Sequence, residues 1–352
     1  MGNYRVPLVS EIKELNASRP PLFEAVSLFA GGGGSSTGYR MAGGKILAIN
    51  EFIEAAIQTY QANWPDTIII PEDIRKITAQ DILEKIGKEK GELDILDGSP
   101  PCSAFSTAGK RDKGWGKTKT YSDSKQDSVE DLFFEYARIL EGVMPKVFIA
   151  ENVAGLAKGV SKGYLNQILR ALKGCGYHVE CKILDAKYLG VPQRRARLIF
   201  VGVRNDLFKP EHKGRLHPTP VTQTVSLRDA FDGLELTELE RKETDMTKYR
   251  VYQYLVPLKR GECHVKRFNL YKCDPLDIAF CITATSGTIS AARPCHWDNR
   301  SFSVREFKRI MSVPDDYILI GTYQQQVERL GRMVAPFMMR AVAENITRLG
   351  IL

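Results

Sequence analysis

The sequence predicts an α/β fold, a parallel sheet with helices between its strands and a smaller second domain set late into the chain. Three observations carry the prediction. Short apolar, β-prone runs at residues 23–30, 45–50, 68–70, 93–96 and 146–150 alternate with polar or helix-patterned stretches, as strands joined by crossovers do. The first run breaks into Gly31-Gly32-Gly33-Gly34 and leads through a helical pattern to the second, which ends at Glu51. Between residues 205 and 299 the alternation stops, Pro, Thr, Lys and aromatic residues become frequent, and helical patterning returns from Arg300. A chain of 352 residues is long for one hydrophobic core. It divides as 1–204, 205–299 and 300–352.

Composition bounds the function. Hydrophobic residues make up 43% and charged residues 26%, enough for a core and for solubility. No apolar run approaches a membrane span and the amino-terminal stretch has no apolar signal core, so an intracellular, cytoplasmic protein is expected. The seven cysteines are odd in number, scattered and without a C-x-x-C pair, which argues against a disulfide framework and a structural metal site. The net charge of +8 favours a polyanionic partner, although solubility alone also accounts for a basic surface.

The glycines after the first strand let a ligand approach the backbone. The run Gly31 to Gly34 with Glu51, whose carboxylate can accept from ribose hydroxyls, reads as a nucleotide-cofactor site or as a plain tight turn. Past the third strand, Asp73 either accepts from an adenine amino group or caps a helix opening near Thr78. The fourth strand ends at Gly98, Pro100 and Pro101 cannot continue it, and Cys102 follows on a rigid loop, as a buried hydrophobe or as a nucleophile. Lys110, Arg111, Lys113, Lys117, Lys119 and Lys125 then lie in a stretch without apolar periodicity. This is a solvated charge run or a basic loop that closes over a nucleic-acid backbone.

Glu151 follows the fifth strand, so in a parallel sheet Glu51, Asp73, Cys102 and Glu151 face one crevice at the strands' carboxyl ends. Helical periodicity covers 164–172. Two further apolar segments, 177–186 and 197–203, are joined through Gln193-Arg194-Arg195-Ala196-Arg197. Alternation puts Arg195 and Arg197 on one face, as a fork for a carbonyl, carboxylate or phosphate or as salt-bridge partners. Near the end, 303–311, 323–330 and 334–349 read as helices, the last with Pro336 near its start, where proline is tolerated.

The motifs FAGGGG (29–34), NEF (50–52), EDI (72–74), GSPPCSAFS (98–106), ENV (151–153), QRRAR (193–197) and SVREFKRIMSVPDDY (303–317) stand in order along the chain. In that order and spacing the chain resembles the DNA cytosine-5 methyltransferase family, of the compact kind found in bacteria and phages. The resemblance covers residues 23–204 and 300–352. It implies a Rossmann-like, S-adenosylmethionine-dependent methyltransferase sheet with a β-rich target-recognition domain at 205–299. S-adenosylmethionine would be lined by Phe29, Gly31, Gly33 and Pro101, with Glu51 on the ribose, Phe52 against the adenine, and Asp73 and Ile74 at its edge.

Cytosine is a poor nucleophile at its fifth carbon, so the resemblance makes Cys102 the group that activates it by adding to the sixth. It makes Glu151 the acid at ring nitrogen 3, with Arg197 and Arg195 holding the ring carbonyl. The base must leave the stack of double-stranded DNA, and the loop 103–125 would close over it. Lys259, Arg260, His264, Lys266, Arg267, Tyr271 and Lys272 are candidates for phosphate or base contacts, or are simply solvated. A monomer on DNA is expected, in a bacterial or phage-infected cell, with a cognate restriction endonuclease as a candidate partner. Two positions depart from the family pattern: Arg332, within Gly331-Arg332-Met333-Val334 where Gly-Asn is usual, and Ser103, where glutamine is commonest. The alternatives are a transfer-RNA cytosine-5 methyltransferase and a non-catalytic DNA-binding relative. A nicotinamide dehydrogenase would leave Pro-Pro-Cys and Glu-Asn-Val unexplained.

Overall fold

The computed structural model describes residues 4–101, 119–120, 125–126 and 131–352. Its strands are β1 (Phe23–Leu28), β2 (Gly44–Asn50), β3 (Ile68–Ile70), β4 (Ile95–Gly98), β5 (Lys119–Thr120), β6 (Lys125–Gln126), β7 (Val147–Val153), β8 (Tyr177–Asp185) and β9 (Ala196–Arg204). Seven of them form one sheet in the order β3-β2-β1-β4-β7-β9-β8, while β5 and β6 pair only with each other. From β3 to β7 every pairing is parallel, and β9 runs antiparallel to both β7 and β8. The parallel arrangement expected of the first five sequence-predicted strands is present, and β9 adds one reversed strand. The connection between β8 and β9, residues 186–195, is too short for the crossover that a parallel pair needs.

The helices are α1 (Val9–Ala17), α2 (Gly34–Met41), α3 (Glu54–Asn63), α4 (Ala79–Ile86), α5 (Leu132–Val143), α6 (Lys162–Gly174), α7 (Leu227–Ala230), α8 (Glu238–Thr244), α9 (Tyr252–Leu255), α10 (Val304–Ile310), α11 (Tyr323–Arg332) and α12 (Pro336–Arg348). Several ends follow from local chemistry. Thr78 opens α4 by accepting from the Asp81 amide while Asp81 accepts from the Thr78 amide, and Gly87 closes it in the left-handed conformation. Ser303 with Glu306 and Thr322 with Gln325 start α10 and α11 in the same way.

Strand alternation builds a core on each face of the sheet. Val147 and Ile149 of β7 face the side packed by α2, α10, α11 and α12, whereas Phe148 and Ala150 face α4, α5 and α6. Burial on both faces is why these strands read as continuous apolar runs. A second sheet, β10 (Cys263–His264), β11 (Arg267–Lys272) and β12 (Pro294–Cys295), lies within 205–299. It has its own small core of Met246, Val251, Leu255, Leu270 and Cys295. The flanks of that segment, at Leu216, Leu227, Ala279 and Ile282, pack into the main core and anchor it there. Among the described residues no helix is long and apolar enough to cross a membrane.

Candidate active site

The site begins where β1 ends. Phe29, Gly31 and Gly33 all take positive φ, at 54°, 55° and 85°, which turns the chain sharply into α2. The two glycines serve different ends. A Cβ on Gly31 would meet nothing within 4 Å, so there the turn presents bare backbone to open space. A Cβ on Gly33 would lie 2.6 Å from the Tyr317 hydroxyl and 3.0 Å from the Tyr60 ring. Tyr317 also donates to the Gly32 carbonyl at 2.7 Å. Met333 lies against Gly32, the Val334 carbonyl against Gly34 and the Pro336 carbonyl against Gly38, so the carboxyl-terminal segment forms a wall behind the turn.

Glu51 stands just past β2, and its carboxylate accepts from three amides: Gly31 at 2.8 Å, Phe52 at 2.9 Å and Ile53 at 3.0 Å. Burial pushes this carboxyl above its ordinary value, and the three amides pull it back. A carboxylate has about four lone-pair positions, so one acceptor site remains for a ligand hydroxyl. That site and the open space at Gly31 fit a nucleoside. Phe52 is half-buried beside them.

Asp73 accepts from the Arg75 amide at 3.0 Å and pairs with its guanidinium at 3.1 Å, capping the short 3-10 turn Ile74–Lys76. The helix at Thr78 has its own cap, so capping there is not the role of Asp73. Ile74 is buried in the core on the α4 and α5 side. Asn50, not singled out from sequence, ties the ends of β2 and β3 together by donating to the carbonyls of Ile70 and Glu72 at 3.0 and 2.8 Å.

At the end of β4, Asp97 is wholly buried and accepts from the Ser27 and Tyr39 hydroxyls at 2.6 and 2.7 Å. Desolvation pushes its carboxyl up to about 7. Gly98 has no room for a side chain, because a Cβ would sit 2.5 Å from the Tyr136 ring. The Asn152 side-chain amide donates to the Pro100 carbonyl at 3.1 Å, fastening the Pro-Pro segment to β7. Pro101 is half-buried at the last position before a gap in the description. Cys102, Ser103 and all but four residues of the basic loop 103–125 and its sequel lie outside the described residues.

Glu151 lies within β7 rather than after it, because β9 pairs with the strand as far as Val153. Glu151 is opposite Ile199 and Val153 is opposite Arg197, so Arg197 is the diagonal neighbour of Glu151 on one face. Its Nε lies 2.8 Å from Glu151 Oε1, both groups mostly buried. Arg195 does not share this fork. Its guanidinium donates to the carbonyls of Ile282 at 2.8 Å, Gly331 at 3.0 Å and Met333 at 2.6 Å. Burial, and then the Arg197 charge, lower its pKa to about 10, so it remains charged at neutral pH. Arg332 turns to Glu328 on its own helix, 2.8 Å away and exposed. The carbonyls that flank it, of Gly331 and Met333, are the ones that accept from Arg195.

The arrangement offers a paired acid and guanidinium at the end of one strand and a buried carboxylate beside a bare glycine turn at the end of another. The first can hold a proton and a ring carbonyl, and the second a nucleoside. A family model for C-5 cytosine-specific DNA methylases matches residues 23–348. The type II methyltransferase M1.HphI of Haemophilus parahaemolyticus is 28% identical over 92% of this chain and 86% of its own length. M.NgoPII of Neisseria gonorrhoeae is 38% identical over 52% of this chain and 48% of its own. Among solved structures, a putative DNA modification methyltransferase encoded within a prophage (E. coli) superposes with a TM-score of 0.73 at 20% identity, covering 93% of this chain and 99% of that one. The chain therefore belongs to the C-5 cytosine-specific DNA methylase family: it is a DNA cytosine-5 methyltransferase with S-adenosylmethionine as its methyl donor.

Proposed function

We propose that this enzyme acts on a cytosine flipped out of a specific sequence in double-stranded DNA, through a covalent adduct of Cys102. The Cys102 thiolate adds to carbon 6 of the ring, and the electrons displaced make carbon 5 nucleophilic. Glu151 supplies and holds the proton at ring nitrogen 3, where charge would otherwise build up. Arg197 keeps the Glu151 carboxyl in place and directs positive charge at the ring carbonyl. Arg195 acts behind them as a positioning residue. When bound, S-adenosylmethionine supplies an electrophilic methyl group for carbon 5, with Glu51 holding its ribose, Gly31 and Gly33 its backbone-facing side, and Phe29, Phe52, Asp73, Ile74 and Pro101 the rest of its outline. Carbon 5 then gives up its proton to water, Cys102 departs as the thiolate and the proton on ring nitrogen 3 returns to Glu151, restoring the aromatic ring.

The observation that supports this reading best is the Glu151–Arg197 pair at 2.8 Å, on the strand to which Asn152 fastens the segment leading to Cys102. The separate sheet and core inside 205–299 support a target-recognition role for that segment. Relatives named as type II methyltransferases favour a restriction-modification setting: a monomer acting on DNA in the cytoplasm of a bacterial or phage-infected cell, opposite a cognate restriction endonuclease. DNA containing 5-fluorocytosine tests the mechanism, because fluorine at carbon 5 cannot leave as a proton does and the adduct persists. Peptide mass spectrometry should place the trapped nucleotide on Cys102. An adduct on any other residue overturns the assignment.

A further inference from the structure

Among the described residues the two most exposed large apolar side chains are Val265, at 94%, and Phe268, at 78%. Both lie on the β10–β11 hairpin. Its turn is held in one shape. The His264 Nδ1 accepts from the amides of Lys266 and Arg267, each at 3.2 Å, and the Cys263 thiol donates to the Phe268 carbonyl at 2.8 Å. Beside the tip the Arg267 guanidinium covers the Tyr254 ring at 4.3 Å, and the same ring meets His264 edge-on at 5.5 Å. The hydrogen bond from Arg267 and the charge of Arg250 draw the Tyr254 phenol below its usual value. Arg267 thus lies over the ring, and Arg250, on the segment that leads into α9, adds its charge nearby. Among the described residues neither forms an ion pair with a carboxylate.

An apolar pair this bare is costly in water unless the working state covers it. Guanidiniums with no carboxylate partner among the described residues favour an anion in the same surface. Duplex DNA, the substrate of this family, carries both features side by side, phosphates flanking apolar base faces. We propose that the β10–β11 hairpin is a wedge that enters the target duplex, with Phe268 and Val265 against the bases and Arg250 and Arg267 together on one backbone phosphate. This deepens the DNA-modifying reading above and rests on it. Apolar wedges partly unstack base steps, and the energy returns as extra contact surface; here the gain would come beside a base that has to leave the stack.

The test is methyl incorporation into unmethylated plasmid DNA from labelled S-adenosylmethionine, measured over a range of DNA and salt concentrations. Phe268→Ala should raise the KM for DNA about tenfold or more, the loss expected when a large apolar side chain is no longer buried, while Phe268→Leu, which keeps an apolar wedge, stays near wild type and the KM for S-adenosylmethionine is unchanged. The double variant Arg250→Gln with Arg267→Gln should flatten the slope of log KM against log salt by about 0.9, one phosphate contact. Leu239→Ser, which alters a side chain 66% exposed on α8, should leave both readings unchanged. The wedge is overturned if Phe268→Ala and the double variant keep the wild-type KM and slope, or if Leu239→Ser loses as much as Phe268→Ala. In either case the methyltransferase reading stands. Absence of methyl incorporation by the wild-type enzyme would instead sink the reading on which the wedge rests.

Discussion

At Asp97 a carboxyl whose ordinary value is 3.8 lies inside the sheet and titrates near 7. The cause is burial, only partly offset by the hydroxyls of Ser27 and Tyr39. Its strand partner on β7 is Ile149, two residues before Glu151, and the Glu151 charge adds to the upward push. The consequence for stability has a definite sign. Between the unfolded value and about 7 the folded chain keeps a proton that the unfolded chain has lost, so stability falls as pH rises through that window. Above it the loss is complete, on the order of a few kcal/mol. Asp97→Asn removes the titration while keeping the shape. Denaturant unfolding of both proteins at pH 5 and pH 8 should show the variant gaining on the wild type as pH rises. A difference that stays constant over that range would mean that the carboxyl does not titrate there.

The glycine turn between β1 and α2 separates two demands that the sequence presents as one. Gly31→Ala meets open space and carries only the strain of a positive φ, about 1 kcal/mol. Its methyl group projects toward the volume assigned to the cofactor. Gly33→Ala adds the same strain and also drives a carbon into Tyr317 and Tyr60, for a total of roughly 2–4 kcal/mol. Calorimetric titration with S-adenosylmethionine and thermal melting should therefore split the pair: Gly31→Ala loses affinity with a small change in Tm, and Gly33→Ala loses mainly Tm. Equal behaviour of the two would contradict the division. The strands of this unit were legible because burial on both faces leaves uninterrupted apolar runs, and residues 68–70 match β3 to the residue. What local pattern does not encode is pairing. The extension of β7 through Glu151 and the reversed direction of β9 both depend on which strand lies alongside. The four-residue helices α7 and α9 are too short for any periodicity to show. Of the candidate-site residues, Gly31, Glu51, Glu151 and Arg197 could be picked out because each stands at or near a strand end. Asp97, Asn50 and Asn152 were not, since their roles lie in cross-strand partners.

Arg195 shows the same limit at the scale of the whole molecule and leads to the strongest stability prediction. Its carbonyl partners lie 87, 136 and 138 positions further along the chain, beyond the reach of spacing arguments. One side chain thereby joins the connection into β9, the carboxyl-terminal flank of the 205–299 segment at Ile282, and the end of α11, beyond which Met333 and Val334 back the glycine turn. Removing it leaves the buried carbonyls of Gly331 and Met333 without a donor, at about 1–3 kcal/mol each, and leaves that of Ile282 with only the Cys281 thiol, 3.6 Å away. Arg195→Met should therefore lose roughly 3 kcal/mol or more of unfolding free energy, and Arg195→Lys less, since an ammonium keeps the charge but reaches fewer of the three. The loss should reach the proposed cofactor site as well, because Arg195 holds the Gly331 and Met333 carbonyls of the segment against which Gly32 and Gly34 pack. Weaker S-adenosylmethionine binding is thus expected from a residue placed behind the pocket rather than on its open face. By linkage, saturating cofactor stabilises the folded state and raises the Tm of Arg195→Lys, but a higher concentration should be needed for half of that rise than in the wild type. Thermal melts over a cofactor titration measure both effects together. An Arg195→Met protein that melts within a degree of wild type, with the same half-saturation, would show that these three regions are held together by packing alone.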